Sequence, residues 1–188
     1  RARQVMERIL EIKLAYWDRA LRELGDLVDI VGEADDLGGQ DRTLFSPATY
    51  RALVKPLQAE LFAFIRTRTS AKVFLHSCGA IRELIPDLIE IGVDILNPVQ
   101  VSAAGMDSAE LKREFGRDLV FWGGGVDTQR ILGAGTPDEV RRRLDAIATT
   151  ETTTSGRVRG LAAAAASMAR PKRRGAADRA QRGASCHS

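Results

Sequence analysis

The sequence predicts an α/β fold of the (β/α)8 TIM-barrel type, present as a truncated, partial barrel of about four βα units. Short apolar segments with strand character alternate with longer segments whose apolar residues recur at helical spacing. Strands that are each followed by a helix have to pair in parallel, with right-handed crossovers between them. A complete barrel needs roughly 250 residues, so this number of units is about half of one.

A polar or glycine-rich cluster follows every predicted strand, and this favours the barrel over an open sheet. The carboxyl ends of all barrel strands converge on one face, where they build the site. A flavodoxin-like open sheet is the alternative, because it needs fewer strands. No Gly-x-Gly-x-x-Gly segment opens a helix to mark a dinucleotide site. The clusters are Asp35-Asp36, His76-Cys78, Asn97-Gln100 and Gly123-Asp127.

The first elements are predicted from helical spacing and from one clear helix start. Apolar residues recur at helical spacing over 3–24, which predicts an amphipathic helix, and a strand is expected over 27–33. Ser46 and Pro47 suit the N-cap and first position of a helix that continues to about residue 68.

The same alternation continues to the end of the predicted barrel. Thr136 and Glu139 form a capping pattern that opens the last helix. The remaining predicted elements are strand 72–77, helix 80–91, strand 93–96, helix 107–115, strand 119–123 and a helical turn over 127–132.

Composition indicates a globular, cytoplasmic protein. The 188 residues are 44% hydrophobic and 28% charged, with a formal net charge of +3. No apolar run reaches the roughly 20 residues that a transmembrane helix requires, so no membrane association is expected. The two cysteines, Cys78 and Cys186, lie in segments of different character, which predicts free or metal-bound thiols rather than a disulfide framework.

The sequence divides into a partial barrel over 1–148 and a basic tail over 149–188. The tail holds eight Lys or Arg against two acidic residues, five consecutive alanines and no aromatic residue. This composition predicts low-complexity, disordered sequence, and its abrupt start suggests a frameshift or a mispredicted gene end. Nothing aromatic is available to stack on bases, so a nucleic-acid partner is not expected.

The predicted strand 72–77 ends in a His-x-Cys pair, His76 and Cys78. Side chains alternate along an extended backbone, so both point to one side and could share a metal ion. Two ligands are a fragment of a zinc site, which normally takes three or four, and structural packing is the alternative. Gly79 then frees the backbone to turn.

Other polar residues follow the strands, each with a structural alternative. Asp35 and Asp36 are candidate catalytic residues from their barrel position, although an acidic pair can also cap a loop. The candidate substrate-binding residues are Asn97, Gln100, Asp127 and Gln129. Turn formation or helix capping would explain the same residues.

Five motifs follow one another in unbroken order over about residues 20–148. They are Asp35-Asp36-Leu37-Gly38-Gly39-Gln40, Ser46-Pro47 with Lys55-Pro56, His76-Ser77-Cys78-Gly79, Gly92 to Gln100, and Trp122 to Gln129. Together they resemble the carboxyl-terminal half of the uroporphyrinogen decarboxylase-like superfamily. The superfamily has the barrel fold, so the resemblance implies that the amino-terminal strands are missing.

The resemblance implies one of two reactions. One branch removes acetate carboxyl groups from a tetrapyrrole without a cofactor, and the other uses zinc to pass a methyl group between a corrinoid and a thiol. The His-x-Cys-Gly motif is similar to that of the methyltransferase branch, which implies zinc on His76 and Cys78. That branch takes its remaining ligand from a later strand, where this chain has only Cys186-His187 in the tail, a pair interpreted as accidental.

The sequence therefore favours zinc-dependent methyl transfer from a methylated corrinoid to a small-molecule thiol, with a corrinoid protein as a partner. Uroporphyrinogen decarboxylation in porphyrin biosynthesis is the first alternative, with a tetrapyrrole as substrate. A non-enzymatic fragment is the second. As it stands, the chain is expected to be inactive and prone to aggregate, because half a barrel leaves strand edges unpaired.

Overall fold

The computed structural model describes residues 1–152, and of these the side chains of residues 1–146. Arg1–Thr150 form a compact unit. The predicted tail over 149–188 lies almost wholly outside the described residues. The helices are α1 (Ala2–Leu24), α2 (Pro47–Thr49), a π-helical turn (Tyr50–Val54), α3 (Lys55–Arg66), a 3-10 turn (Arg82–Leu84), α4 (Ile85–Glu90), α5 (Ser108–Phe115), α6 (Ile131–Ala134) and α7 (Pro137–Thr152).

Four strands of the described part of the chain form one parallel sheet in sequence order. They are β1 (Ile30–Ala34), β2 (Lys72–His76), β3 (Ile95–Asn97) and β4 (Val120–Phe121). Helices alternate with these strands, so the sheet is the partial α/β barrel unit that the sequence predicts. In the register, Ala34 lies beside His76 and His76 beside Asn97. The carboxyl ends of three neighbouring strands are therefore aligned at one edge.

The two faces of the sheet are chemically different. Val31, Val73 and Leu75 point to the face that the helices cover, and each is almost completely buried. Burial of one such side chain stabilises the fold by about 1.5–3 kcal/mol, so this face holds the sheet and helices together. The alternate residues, among them Phe74 and His76, point to the opposite face. There the Phe74 ring packs edge-to-face on Trp122, with 5.8 Å between centroids.

Helix α1 is attached to β1 by a polar cluster on the helix-covered face. Glu33 accepts hydrogen bonds from the Trp17 indole nitrogen and from Lys13 Nζ, the latter at 2.7 Å. The predicted amphipathic helix is confirmed. Its buried residues are Leu10 and Leu21, while other members of the predicted apolar series stay exposed: Val5, Ile9 and Tyr16.

Boundary differences have local causes. The chain makes a turn after α1, with Leu27 N donating to Leu24 O, so β1 begins at Ile30 rather than at residue 27. Within the helical segment that starts at Pro47, a π-helical turn precedes Pro56. Proline has no N–H to donate to the carbonyl of the preceding turn, so the helical hydrogen-bond pattern widens there.

No helix in the part of the chain that the structure describes is long and apolar enough to cross a membrane.

Candidate metal centre

The loops after β1 and β2 bring three potential metal ligands together. Ala34 and His76 are register partners, so two residues further on Asp36 lies on the same face as Cys78. One ligand atom from each of Asp36, His76 and Cys78 lies within 4.8 Å of the other two. His76 Nε2 is 3.5 Å from Cys78 Sγ and 3.8 Å from Asp36 Oδ1. We call these three residues the donor cluster.

Close backbone contact holds the two loops in this arrangement. Gly79 has φ of +88°, and a Cβ atom there would lie 2.3 Å from the carbonyl oxygen of Gly38. Only glycine fits both the dihedral angle and the space. Asp36 Oδ1 also accepts a hydrogen bond of 2.9 Å from the backbone N–H of Cys78. The donor cluster is thus part of a closely packed junction between the two loops.

Ser77 supports the junction from the buried face. Its side chain is fully buried, and Oγ accepts a hydrogen bond of 3.0 Å from the backbone N–H of Leu37. The backbone N–H of Ser77 donates to Asn97 O at 2.8 Å, which ties the loop to β3. Residues 76 to 78 therefore alternate between the donor cluster and the core, as the strand period requires.

The electrostatics of the donor cluster favour a bound cation. Burial raises the pKa of the Cys78 thiol, and the Asp36 carboxylate beside it adds to the rise. Without a metal the thiol is therefore protonated at neutral pH, while a divalent cation would reverse this balance. The side chains of His76 and Asp36 are 39% and 59% exposed, so the donor cluster is open to a ligand.

The donor set fits zinc. An imidazole nitrogen, a thiolate sulfur and a carboxylate oxygen are the three ligand types that zinc takes in proteins. Calcium and magnesium prefer oxygen ligands only, so Cys78 and His76 argue against them. Three protein ligands and one open position are the pattern of a catalytic zinc site. The assignment of His76 and Cys78 as metal ligands stays a prediction, and the geometry adds Asp36 to it.

The predicted catalytic pair, Asp35 and Asp36, is divided between the two faces of the sheet. Asp35 points to the helix-covered face, where Oδ2 accepts a hydrogen bond of 2.9 Å from Gln58 Nε2. Lys13 Nζ lies 3.5 Å from Asp35 Oδ1. The buried hydroxyl of Tyr50 donates to Gln58 Oε1 at 2.8 Å, and burial is the largest cause of its raised pKa. Only Asp36 joins the donor cluster.

A cleft of about 300 Å³ lies beside the two aspartates, between α1 and α3. Most of its lining is apolar, and among the residues whose side chains the structure describes Lys13 is the one basic residue in the lining. The apolar lining residues are Met6, Ile9, Leu10, Leu37, Phe45, Val54, Leu57 and Leu61.

Asn97 and Gln100, both predicted to bind substrate, use their side-chain amides in internal contacts. Asn97 Oδ1 lies 2.8 Å from His76 Nδ1, and Asn97 Nδ2 donates to the carbonyl oxygen of Trp122 at 2.8 Å. Gln100 Oε1 accepts from the backbone N–H of Gly79 at 2.9 Å. Gln100 Nε2 donates to Gln40 Oε1 at 2.9 Å. Both amides border the donor cluster.

Asp127 and Gln129 lie outside the donor cluster. Asp127 Oδ1 accepts hydrogen bonds from the backbone N–H groups of Gln129 at 2.8 Å and Arg130 at 3.0 Å, which caps the turn before α6. The glycines ahead of them make a tight turn, because a Cβ atom on Gly123 would lie 1.9 Å from Pro98 O. The predicted substrate-binding role of Asp127 and Gln129 stays a prediction.

Asp36 was predicted as a catalytic residue and not as a metal ligand. The third ligand was expected on a later strand, whereas the structure offers a carboxylate from the loop after the preceding strand, β1. A usable signal was the phase of β1. In β1 the larger residues, Val31 and Glu33, alternate with the small residues Gly32 and Ala34. Side chains two positions apart share a face, so Asp36 is expected on the face of Gly32 and Ala34.

Comparison with known proteins adds the family. The model of the uroporphyrinogen decarboxylase (URO-D) family matches residues 1–166 of the chain. The chain belongs to the uroporphyrinogen decarboxylase family. Neither the curated proteins nor the solved structures gave a match. The match runs beyond both ends of the motif region predicted from the sequence, 20–148. Family membership is common to decarboxylation and methyl transfer, so the choice between them depends on the residues of the site.

Proposed function

We propose that this uroporphyrinogen decarboxylase family protein serves zinc-dependent methyl transfer from a methylated corrinoid to a thiol. The observation that supports it is the donor cluster, in which Asp36, His76 and Cys78 offer oxygen, nitrogen and sulfur at one strand edge. These three residues would hold the zinc. Decarboxylation in this family needs no metal, and it would give no reason for a thiol and an imidazole 3.5 Å apart.

The residues of the donor cluster suit activation of a thiol. When bound, zinc supplies the positive charge that lowers the pKa of a substrate thiol toward neutrality. Asp36, His76 and Cys78 would be three protein ligands, which would leave the fourth tetrahedral position open for the substrate sulfur. In the proposed transfer the substrate sulfur would take the methyl group from the corrinoid, and the electron pair of the cobalt–carbon bond would stay with the cobalt. The thiol proton goes to solvent.

The charges around the site favour this reaction over decarboxylation of a tetrapyrrole. Uroporphyrinogen carries several carboxylates, and its binding needs cations. Asp35 and Asp36 line the cleft, and Lys13, the one basic residue among its described lining residues, is already paired with Glu33 and Asp35. A polyanion would therefore meet like charge at this edge of the sheet.

Exposure of the donor cluster supports a large methyl donor. The Asp36 side chain is 59% exposed, so a corrinoid carried by a separate protein can approach it. The His76 side chain is 39% exposed, so a small-molecule thiol can also reach the donor cluster. We therefore propose a corrinoid protein as the partner and a low-molecular-weight thiol as the acceptor.

Metal binding provides a test that does not depend on turnover. We expect the 188-residue chain to bind one Zn²⁺ or Co²⁺, and added thiol to increase the thiolate-to-cobalt charge-transfer absorption of the Co²⁺ form. Cys78→Ala and Asp36→Asn should each lower metal affinity by about 10-fold or more, as loss of a ligand does. Asp118→Asn removes an exposed carboxylate elsewhere and serves as the control.

Two outcomes would contradict the proposal. One is a wild-type chain without stoichiometric metal at saturating Zn²⁺. The other is metal binding that Cys78→Ala and Asp36→Asn leave at the level of the Asp118→Asn control. Metal binding with no spectral response to thiol would keep the zinc site but overturn the thiol as the acceptor.

A further inference from the structure

We propose that Asn97 is a positioning residue that fixes which nitrogen of His76 is free to bind the metal. A neutral imidazole has one protonated and one unprotonated nitrogen, and only the unprotonated nitrogen can be a ligand. The two tautomers present different nitrogens, so the environment of His76 decides whether the donor cluster is ready for a metal. The proposal rests on the proposed function for its purpose, but it can be tested without a metal.

The contacts of Asn97 determine the direction of its amide group. The backbone carbonyl of Trp122 can only accept, and Asn97 Nδ2 donates to it at 2.8 Å. The amide oxygen of Asn97 then has to point the other way, toward His76. A flipped amide would set two oxygens against each other at the Trp122 end.

The direction of the amide determines the tautomer of the imidazole. Asn97 Oδ1 lies 2.8 Å from His76 Nδ1, and an amide oxygen is only an acceptor. Nδ1 must therefore carry the proton and donate it to Asn97. Nε2 is left unprotonated, and it is the nitrogen that lies 3.5 Å from Cys78 Sγ and 3.8 Å from Asp36 Oδ1.

The surrounding strands hold Asn97 in place for this task. Asn97 is the register partner of His76, and its backbone oxygen accepts from Ser77 N at 2.8 Å. The Asn97 amide is thus anchored on β3. Trp122, after β4, sets its orientation, and the amide in turn orients the proton of His76 at the end of β2. Outer contacts of this kind typically account for a 10- to 100-fold change in metal affinity.

The tautomer can be observed directly by ¹⁵N NMR of the imidazole ring. The sequence has two histidines, His76 and His187, so the 188-residue chain with His187→Gln presents a single ring to observe. In metal-free protein at alkaline pH, where imidazole is neutral, we expect a pyrrole-type signal for Nδ1 and a pyridine-type signal for Nε2. The opposite assignment would overturn the proposal.

Two substitutions separate positioning from a general structural role. Asn97→Ala removes the acceptor, so the ring should shift toward the Nε2–H form and Zn²⁺ affinity should fall by about 10-fold or more. Asn97→Asp keeps an acceptor oxygen for His76 Nδ1 but loses the donor to the Trp122 carbonyl. It should retain the Nδ1–H form and keep more of the affinity than Asn97→Ala, at a cost in stability that both variants share. Gln100→Ala is the matched control, because it removes a side-chain amide that bonds to the Gly79 backbone and does not bond to the imidazole.

The outcomes distinguish this inference from the proposed function. An Nδ1–H signal that Asn97→Ala leaves unchanged, or a change equal to that in Gln100→Ala, would overturn the positioning role. If Asn97→Ala does not fold, the Asn97→Asp result decides the question, since loss of the Nδ1–H form there contradicts the proposal. A correct tautomer in a chain that binds no zinc would instead overturn the proposed function and leave the role of Asn97 intact.

Discussion

The neighbouring Asp36 side chain changes the reactivity of the Cys78 thiol. Burial and the Asp36 carboxylate both raise the pKa of its thiol, which reduces the thiolate fraction in metal-free protein. We expect iodoacetamide to alkylate Cys78 more slowly than a free cysteine at pH 8, because the thiolate is the nucleophile. Asp36→Asn removes the negative charge, lowers the pKa and should accelerate alkylation.

Peptide mass spectrometry measures this reaction at Cys78 separately from Cys186. Asp118→Asn should leave the Cys78 rate unchanged, since that carboxylate does not contact the thiol. A faster reaction in the wild type than in Asp36→Asn would contradict the described environment. Zinc should protect Cys78 in the wild type, and added chelator should restore the slow reaction.

Gly79 carries the strictest local constraint. Its φ of +88° and the 2.3 Å distance from a Cβ atom to Gly38 O exclude any larger residue without movement of both loops. We expect Gly79→Ala to lower the free energy of unfolding by about 1–3 kcal/mol or more, from the dihedral cost and the clash. Urea denaturation measures the change.

Gly39→Ala is the matched control for Gly79→Ala. It lies in the facing loop, and its nearest neighbour would be 3.5 Å from the new Cβ atom, an ordinary contact. We expect its stability to stay within about 0.5 kcal/mol of the wild type. If both variants lost the same free energy of unfolding, the close contact between Gly38 and Gly79 would not be the cause of the loss.

At the scale of elements, α3 and α4 are joined by a buried carboxylate. Asp87 on α4 lies 2.9 Å from Arg51 Nη2 and 2.8 Å from Lys55 Nζ, and its side chain is 6% exposed. The hydrogen bond from Arg51 is the largest cause of its lowered pKa, which Lys55 lowers further. A carboxyl with a lowered folded pKa stabilises the fold above its unfolded pKa of about 3.9, and this contribution is lost as pH falls through the folded value.

Asp87→Asn should therefore destabilise the protein near neutral pH and matter less in acid. We expect a loss of about 1–3 kcal/mol at pH 7, an estimate at the low end for a buried pair because Arg51 is half exposed. The difference from the wild type should shrink below about pH 4. Glu90→Gln, on a 71% exposed side chain that also contacts Lys55, is the control and should change stability little. A pH-independent difference would contradict the linkage.

The order of elements was predictable because each rests on a local pattern. Helical spacing and the Ser46-Pro47 start depend on residues a few positions apart, and both helices are present. Strand ends were less predictable, because β4 covers only Val120–Phe121 and its limits are set by pairing with β3. The donor cluster depends on the register between β1 and β2, a tertiary property, so Asp36 could be selected as functional but not assigned to the metal.

At the largest scale, the sheet of the described residues ends at β1 and β4, and the face opposite the helices carries exposed aromatic surface. Trp122 on that face is 41% exposed and contacts Phe74. An exposed sheet edge and an aromatic patch favour association with other chains. We expect the 188-residue chain to form concentration-dependent oligomers, measured by light scattering after size exclusion.

A paired comparison locates the association surface. Trp122→Ser should reduce the oligomer fraction, while Leu144→Ser, which removes an exposed apolar side chain from α7, should have less effect. A monomer at all concentrations would contradict this prediction. An equal effect of the two substitutions would also contradict it, because association would then not depend on the sheet face that carries Trp122.

The close loop contacts have an evolutionary consequence. Gly79 touches the loop after β1, Gln100 bonds to the loop after β2, and Gly123 presses against the loop after β3. The conformation of each loop therefore depends on contacts with the loop before it. Insertions or new side chains in one loop should survive only with compensating changes in the next, so substrate preference along this edge should diversify by linked replacement of adjacent loops. Transplanting a single loop from a relative should fail where a neighbouring pair succeeds.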